Sequence, residues 1–311
     1  MKERGFTLLE LLIAMAITIF VMAAGYSFFN NTFNFSLVHS RKTEMQRETR
    51  TAIDILSREV RNAGFGILDP FGDGNLAAMG ALSRSITPAN NVDPDPSGVV
   101  GQLDRITVWG GYEQVGTLTC AVPPCIDPVA AQGDVTVFMI PLAGTTPDIS
   151  GKTVTIDGFH TAVVTAVVAG PIAGVYTLTL SAGLDRNYSS AASVVLLQQV
   201  AYQVDTTGAE PFLSRSVNGG AGQLIASGIE DLQFAYVMQN GTIVDNPAGA
   251  ATDIRAVRIS MLARQRDPSA TAEISTRPAV EDHAAAASAD RYHRRLITRV
   301  VEVRNHGLRY Q

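Results

Sequence analysis

The sequence predicts an α+β protein in which one long N-terminal helix, fit to cross a membrane over its first half, packs on an antiparallel β-rich globular head. Three observations carry this expectation. Phe6–Phe29 is an apolar run without proline that holds one charged side chain, Glu10. Between Met45 and Ala63 apolar and small side chains recur at three- and four-residue steps, the period of one helical face. Beyond Gly101, β-branched or alternating runs follow one another between Gly, Pro, Asn and Asp clusters, which is the signature of strands joined by turns.

The first five residues, Met1-Lys2-Glu3-Arg4-Gly5, form a charged leader ahead of the apolar run. At 1.5 Å per helical residue the run reaches about 36 Å, enough to cross a bilayer. By the positive-inside rule Lys2 and Arg4 hold the N-terminus in the cytoplasm, so the chain beyond about Asn30 lies outside. A charged group at mid-membrane costs about 2.5–3.5 kcal/mol and somewhat less near an end, so Glu10 needs a partner.

The string Arg4-Gly5-Phe6-Thr7-Leu8-Leu9-Glu10-Leu11-Leu12 resembles the class III signal of type IV pilins and pseudopilins. The resemblance implies that a membrane peptidase cuts after Gly5 and methylates the new N-terminus at Phe6. It also implies that the carboxylate of Glu10 pairs with the N-terminal amine of a neighbouring subunit during assembly. Phe6 and Glu10 are one turn apart on one helical face, so the spacing suits this role. Two other readings compete: a secretory signal peptide, with the small residues Ala23-Ala24-Gly25 after its apolar region, and a plain anchor whose Glu10 snorkels toward the headgroups.

The stem follows without a proline before Pro70. Met45, Thr49, Ala52, Ile53, Leu56, Val60 and Ala63 form its apolar face, charged residues fill the other, and Gly64 is placed to end the helix. The expected division is therefore a leader over 1–5, a membrane helix over 6–29, a stem over 30–64 and a head over 65–311. Gly66–Gly98, rich in Pro, Gly, Asn and Asp, reads as a long loop. The Asp93–Asp95 pair, or Asp69, Asp73 and Asn75, could coordinate calcium, but the pattern lacks the alternating ligands and terminal Glu of an EF-hand loop, which favours solvated turns. Strands are expected at Arg105–Trp109, Asp134–Ile140, Lys152–Ile156, Thr161–Val168, Val175–Leu180, Val194–Val204, Leu232–Met238, Ile254–Ala263 and Arg295–Val303. No crossover helix separates them, so the sheets should be antiparallel. Asp267–Asp290 stays unassigned between loop and short helix.

Cys120 and Cys125, the only cysteines, enclose Ala-Val-Pro-Pro. In an oxidising compartment the pair reads as a disulfide whose short loop adds about 2 kcal/mol. Free thiols are the main alternative, and the scattered histidines disfavour a metal site. With 46% hydrophobic and 17% charged residues the chain can fill at least one sizeable core. A net charge of -5 argues against a nucleic-acid footprint over the whole chain, although the Arg-rich stretch 252–311 leaves a local one open. There Arg alternates with Val and Ile, which suggests a solvated or subunit-facing strand surface.

No nucleophile elbow, H-E-x-x-H motif or Walker loop is present, and Gly219-Gly220-Ala221-Gly222 does not join a strand to a phosphate-binding helix. The chain is expected to be no enzyme, and no cofactor or metal is expected. Asp54–Phe65 resembles the stem end of PilW-type minor pilins and J-type pseudopilins. Val200–Val204, Phe212–Arg215, Gly228–Tyr236, Ile254–Ile259 and Val301–Asn305 resemble the globular core of the same group, with Tyr202, Phe212, Phe234 and Tyr236 as core packing. The resemblance implies a minor pilin, anchored in the inner membrane with its head in the periplasm, that primes or caps a type IV pilus. It implies other minor pilins, the major pilin, the prepilin peptidase and the assembly platform as partners. A J-type pseudopilin at the tip of a type II secretion pseudopilus, and an adhesin or DNA- or glycan-binding module anchored by a pilin signal, are the alternatives.

Overall fold

A computed structural model describes residues 8–65, 85–96, 98–99, 101–143, 147–208, 210–247, 254–268 and 274–303. The first element, α1, is one helix of 54 residues, Leu8–Arg61, about 80 Å long. Nothing in its sequence breaks it, and Arg58 and Arg61 in the last turn complement its dipole. Gly64 takes φ 75°, the left-handed conformation that stops a helix, and its N–H donates to the Trp109 carbonyl at 2.8 Å. All seven side chains expected on the apolar face of the stem are buried, with Ser57 beside them. Burial begins at Met45, so the head covers only the C-terminal part of α1.

Fifteen strands follow among the described residues. A first group comprises β1 (Ile86–Asp93), β2 (Leu103–Thr119), β3 (Thr136–Pro141), β4 (Thr153–Ile156), β5 (His160–Ala169), β6 (Tyr176–Leu180), β7 (Ser193–Asp205), β8 (Phe212–Val217) and β9 (Gln223–Ser227). These form a nine-stranded sheet in the order β1-β2-β3-β6-β5-β4-β7-β8-β9, in which β2 also pairs with β7. A second sheet has the order β11-β10-β12-β15, from β10 (Ile229–Met238), β11 (Ile243–Val244), β12 (Ile254–Arg264) and β15 (Arg294–Glu302). Two-residue strands β13 (Ser275–Thr276) and β14 (Ala289–Asp290) pair with each other. Every pairing is antiparallel.

The β2–β7 ladder closes β2, β3, β6, β5, β4 and β7 into a ring, so the first sheet is partly a small barrel. Its interior is a core of its own, with Leu118, Val137, Met139, Val154, Ile156 and Val164 among its buried members. The other core packs α1 against the second sheet and the remaining parts of β1, β2, β7, β8 and β9, centred on Ile53, Leu56, Tyr202, Phe234, Tyr236 and Ile259. Strands β2 and β7 thus serve both cores. Register shifts between Gly111 and Glu113 and between Gln114 and Gly116 turn β2 from the open sheet into the ring. At Gly116 an added Cβ would lie 2.6 Å from the Ile140 carbonyl oxygen, so only glycine lets β3 close on β2 there.

Three sequence expectations need correction. Gly66–Gly98 is not wholly loop, because Ile86–Asp93 is a strand. It lies at the edge of the sheet, where Pro88 needs no ladder partner, and Ile86 is its only fully buried apolar side chain, so its composition resembles a turn. Asp69, Asp73 and Asn75 lie outside the described residues. β2 runs ten residues past Trp109 because the glycines that suggested a stop are its bends. The hairpin β8–β9 was also missed as strand, and Asn218–Gly222 is its turn. Of the four aromatics expected in the core, Tyr202, Phe234 and Tyr236 are buried, while Phe212 is half-buried.

Candidate functional site

Leu8 to Phe35 presents its apolar side chains to the outside all round α1, from 78% exposure at Leu8 to 69% at Phe35, and none of its most apolar window is covered by the protein itself. A water-facing surface of this size has no counterpart in a soluble monomer, so lipid or other helices must cover it. Glu10 lies in the first described turn on this exposed surface. Gly5 and Phe6 lie outside the described residues. Cys120 and Cys125 are bonded, with Cα atoms 5.3 Å apart, in the loop that follows β2. Its Val122 and Ile126 are exposed, and Asp127 beside it accepts from the Ser190 N–H at 2.7 Å. The disulfide is remote from α1, so the structure gathers no single cluster from the residues singled out in the sequence.

Polar contacts pin the stem to the head at four heights. Arg41 pairs with Asp267 at 3.5 Å, Glu48 accepts from the Ser227 N–H at 3.1 Å, Asp54 pairs with Arg299, and Glu59 with Arg215 at 3.2 Å. Arg41 and Asp267 are each about half exposed, so that pair adds little stability. Glu59 and Arg215 are mostly buried at the side of Tyr202, where truncating either partner would be costlier.

The strongest polar cluster was not foreseen. Strand β10 is buried on both faces, and its polar alternates Asp231 and Gln233 are roofed by residues 274–290. Arg277 donates from Nη1 to Asp231 Oδ2 at 2.9 Å, and His283 Nδ1 lies 2.8 Å from the same oxygen. Arg277 Nη2 is 2.8 Å from His283 Nε2. Arginine can only donate, so Nε2 accepts and the ring proton sits on Nδ1, facing Asp231; this tautomer follows from the network. Gln233 takes the other Asp231 oxygen at 2.8 Å. Glu281 meanwhile binds Arg258 and Ser260, and Asp282 binds Asn90 and Asn91. Residues 274–290, the described part of the stretch up to Asp290, are therefore a strap tied to β1, β10 and β12. Its trace in the sequence is Glu230-Asp231 and Gln233 inside an otherwise apolar strand.

These contacts also revise the reading of the Arg-rich stretch. Arg258, Arg264, Arg277, Arg294 and Arg299 are paired with carboxylates of the same chain, and Arg277 is buried. Much of the stretch is internal glue. Among the described residues no group of three or more His, Cys, Asp or Glu side chains is arranged to hold a metal. Asp93 pairs with Arg105, and Asp95 accepts from the Val99 N–H at 3.0 Å, so both acids hold their own turns.

Beside the cluster, burial pushes the Asp104 carboxyl up to about 7, against N–H bonds from Asn91 and Phe234 that lower it; the nearby charges of Asp282 and Asp231 raise it further. A folded value above the unfolded one means the neutral form is favoured by folding. The contribution of Asp104 is thus fully present below about pH 4, near its ordinary value of 3.8, and is lost as pH rises through about 7. Asp104→Asn cannot ionise. Its stability is expected to fall less than that of the wild type between pH 5 and pH 8, as measured by urea unfolding of the detergent-solubilised chain. Parallel pH dependences would show that Asp104 ionises alike in both states.

Comparison with known proteins completes the site. Residues 1–26 match the prokaryotic N-terminal methylation motif, and residues 201–305 match the family model of PilW, the type IV pilus-assembly protein W. By these two matches the chain is similar to type IV pilin-like proteins, and its C-terminal third to the PilW type. The PilW match runs from the end of β7 through β15, which is the sheet packed on the stem together with its strap. The barrel strands β3–β6 lie outside both matches. Pilin-like protein PilA3 of Thermus thermophilus is 34% identical over 62 residues, 20% of this chain, and the chain spans about a quarter of that relative, 27% of its length. A type IV-like pilin structure from Thermus thermophilus aligns over 84% of this chain and 97% of its own, with a TM-score of 0.40 and 12% identity. The methylation motif and the apolar helix point to membrane anchoring and incorporation into a pilus.

Proposed function

We propose that this chain is a minor pilin that primes or caps a type IV pilus as one member of a minor-pilin complex. The observation that carries the reading is α1: a continuous helix whose head-packed end begins at Met45 and whose preceding apolar stretch is left wholly uncovered by its own fold. Such a helix is built to exchange lipid for the helices of other subunits, driven by contact and polar pairing, since both surroundings are equally apolar. In this reading residues 1–5 are a leader removed by the prepilin peptidase, Phe6 becomes the methylated N-terminus, and Glu10 receives a neighbour's amine. The membrane helix then spans residues 6–29, the stem 30–64 and the head 65–311. The N-terminus faces the cytoplasm, the head the periplasm, and the major pilin, other minor pilins and the assembly platform are the partners. The chain undergoes covalent processing and catalyses none.

The test is mass spectrometry of the protein purified from its native membranes and from sheared pili. The expected first residue is N-methylated Phe6 in both fractions, with other pilins co-purifying. A first residue near Gly25 would replace the reading with an ordinary exported protein.

A further inference from the structure

The solvent face of the stem carries a second signal. Arg47, Arg50, Arg58 and Arg61 are exposed, and no carboxylate of the described residues lies within ion-pair distance of any of them. At 100° per residue they fall within an arc of about 80°, nearly opposite the buried face of Met45, Ala52 and Leu56, and form a stripe about 21 Å long. The one acid within the stripe, Asp54, is taken by Arg299 from the head, which adds a fifth guanidinium at its side. A solvated helix face ordinarily interleaves both signs at i,i+4. Here five guanidiniums stand against the single carboxylate of Asp54, in a chain of net charge -5.

We propose that this arginine stripe is a docking rail for an acidic face of a neighbouring pilin-like subunit. The inference rests on the filament reading above and names the contact that follows from it. Because α1 is one unbroken helix, neighbours packed along its apolar half also lie alongside its continuation. The face turned away from its own head is the one left for them. Four guanidiniums brought under a neighbour lose water, and only carboxylates on that neighbour compensate the loss and fix its register. Anionic lipid is a poorer occupant: Arg47 lies about 15 Å along the helix from Leu37, its last large exposed apolar side chain. That is nearly two Debye lengths of about 8 Å.

The test uses the full-length protein in cells that assemble pili. Arg50→Glu/Arg58→Glu should be processed and membrane-inserted like the wild type and should still unfold cooperatively in detergent, a few degrees lower because Arg58 also complements the helix dipole, but should fall about tenfold in sheared filaments. Arg50→Lys/Arg58→Lys should keep its place. Carbodiimide should then join its introduced amines to carboxylates of another subunit, in peptides distinguishable from those of the native Lys42 and Lys152 of the processed chain. Equal incorporation of the charge-reversed variant and the wild type would overturn the rail alone. Absence of the wild type from filaments would overturn the filament reading and the rail with it. Duplex DNA retarded at low ionic strength by the wild type and not by the reversed variant, with filaments unaffected, would overturn the rail in favour of a phosphate-binding stem.

Discussion

Arg277→Ala is expected to destabilise the head by about 3–5 kcal/mol, the cost of leaving one partner of a buried ion pair behind. Asp231 is fully buried, and Arg277 is 6% exposed. Without the guanidinium the carboxylate keeps only His283 and Gln233, and the ring nitrogen of His283 that accepted from Arg277 loses its donor. The strap should then open, exposing the polar face of β10. Denaturant unfolding of the detergent-solubilised protein measures the loss, and hydrogen exchange over residues 274–290 localises it. Arg255→Ala is the control: its pair with Glu302 is 3.6 Å long and largely exposed, so its loss should cost less than about 1 kcal/mol. Similar small effects from both variants would show that the cluster does not hold the strap.

Glu10→Leu should abolish or sharply reduce incorporation into pili while leaving membrane insertion intact. In lipid the carboxylate is unfavourable by up to about 2.5–3.5 kcal/mol, so an apolar replacement inserts at least as well. In the filament the proposed partner, the amine of a neighbour's Phe6, would lose its counter-charge. Fractionation of sheared pili beside membrane extracts separates the two effects, and cleavage after Gly5 serves as the processing control. Equal amounts of variant and wild type in the pili would mean that the carboxylate does not select the docked state, and would favour a plain anchor.

The helix was legible because its signals are local. An unbroken apolar run, a 3.6-residue repeat and a terminal glycine specify α1 without reference to anything distant, and every side chain expected on the face from Met45 to Ala63 is buried. The sheets were legible where β-branched and apolar residues dominate a strand, as at Ile254–Ala263. What escaped depends on contacts between residues far apart in sequence. Asp231 and Gln233 alternate with Leu232, Phe234 and Tyr236, which reads as a strand with one wet face, and only the strap more than forty residues later makes that face dry. The ring closure is equally non-local, since it needs the β2–β7 ladder to join segments some ninety residues apart. In the proposed reading Gly5 and Phe6 serve as a substrate for another protein, a role that intramolecular packing does not encode.

The sharing of β2 and β7 between the two cores has a mechanical consequence. Their ladder runs from the Ile106–Tyr202 pair to the Thr117–Ser193 pair, and it connects the stem-bound sheet to the ring. Antiparallel hydrogen bonds lie across the strands. A pull that tends to slide one of the two strands past the other loads these bonds in shear, many at once, whereas a pull at right angles would unzip them one by one. Tension applied to the barrel along these strands, with the helix held, would meet the head in its stiff direction.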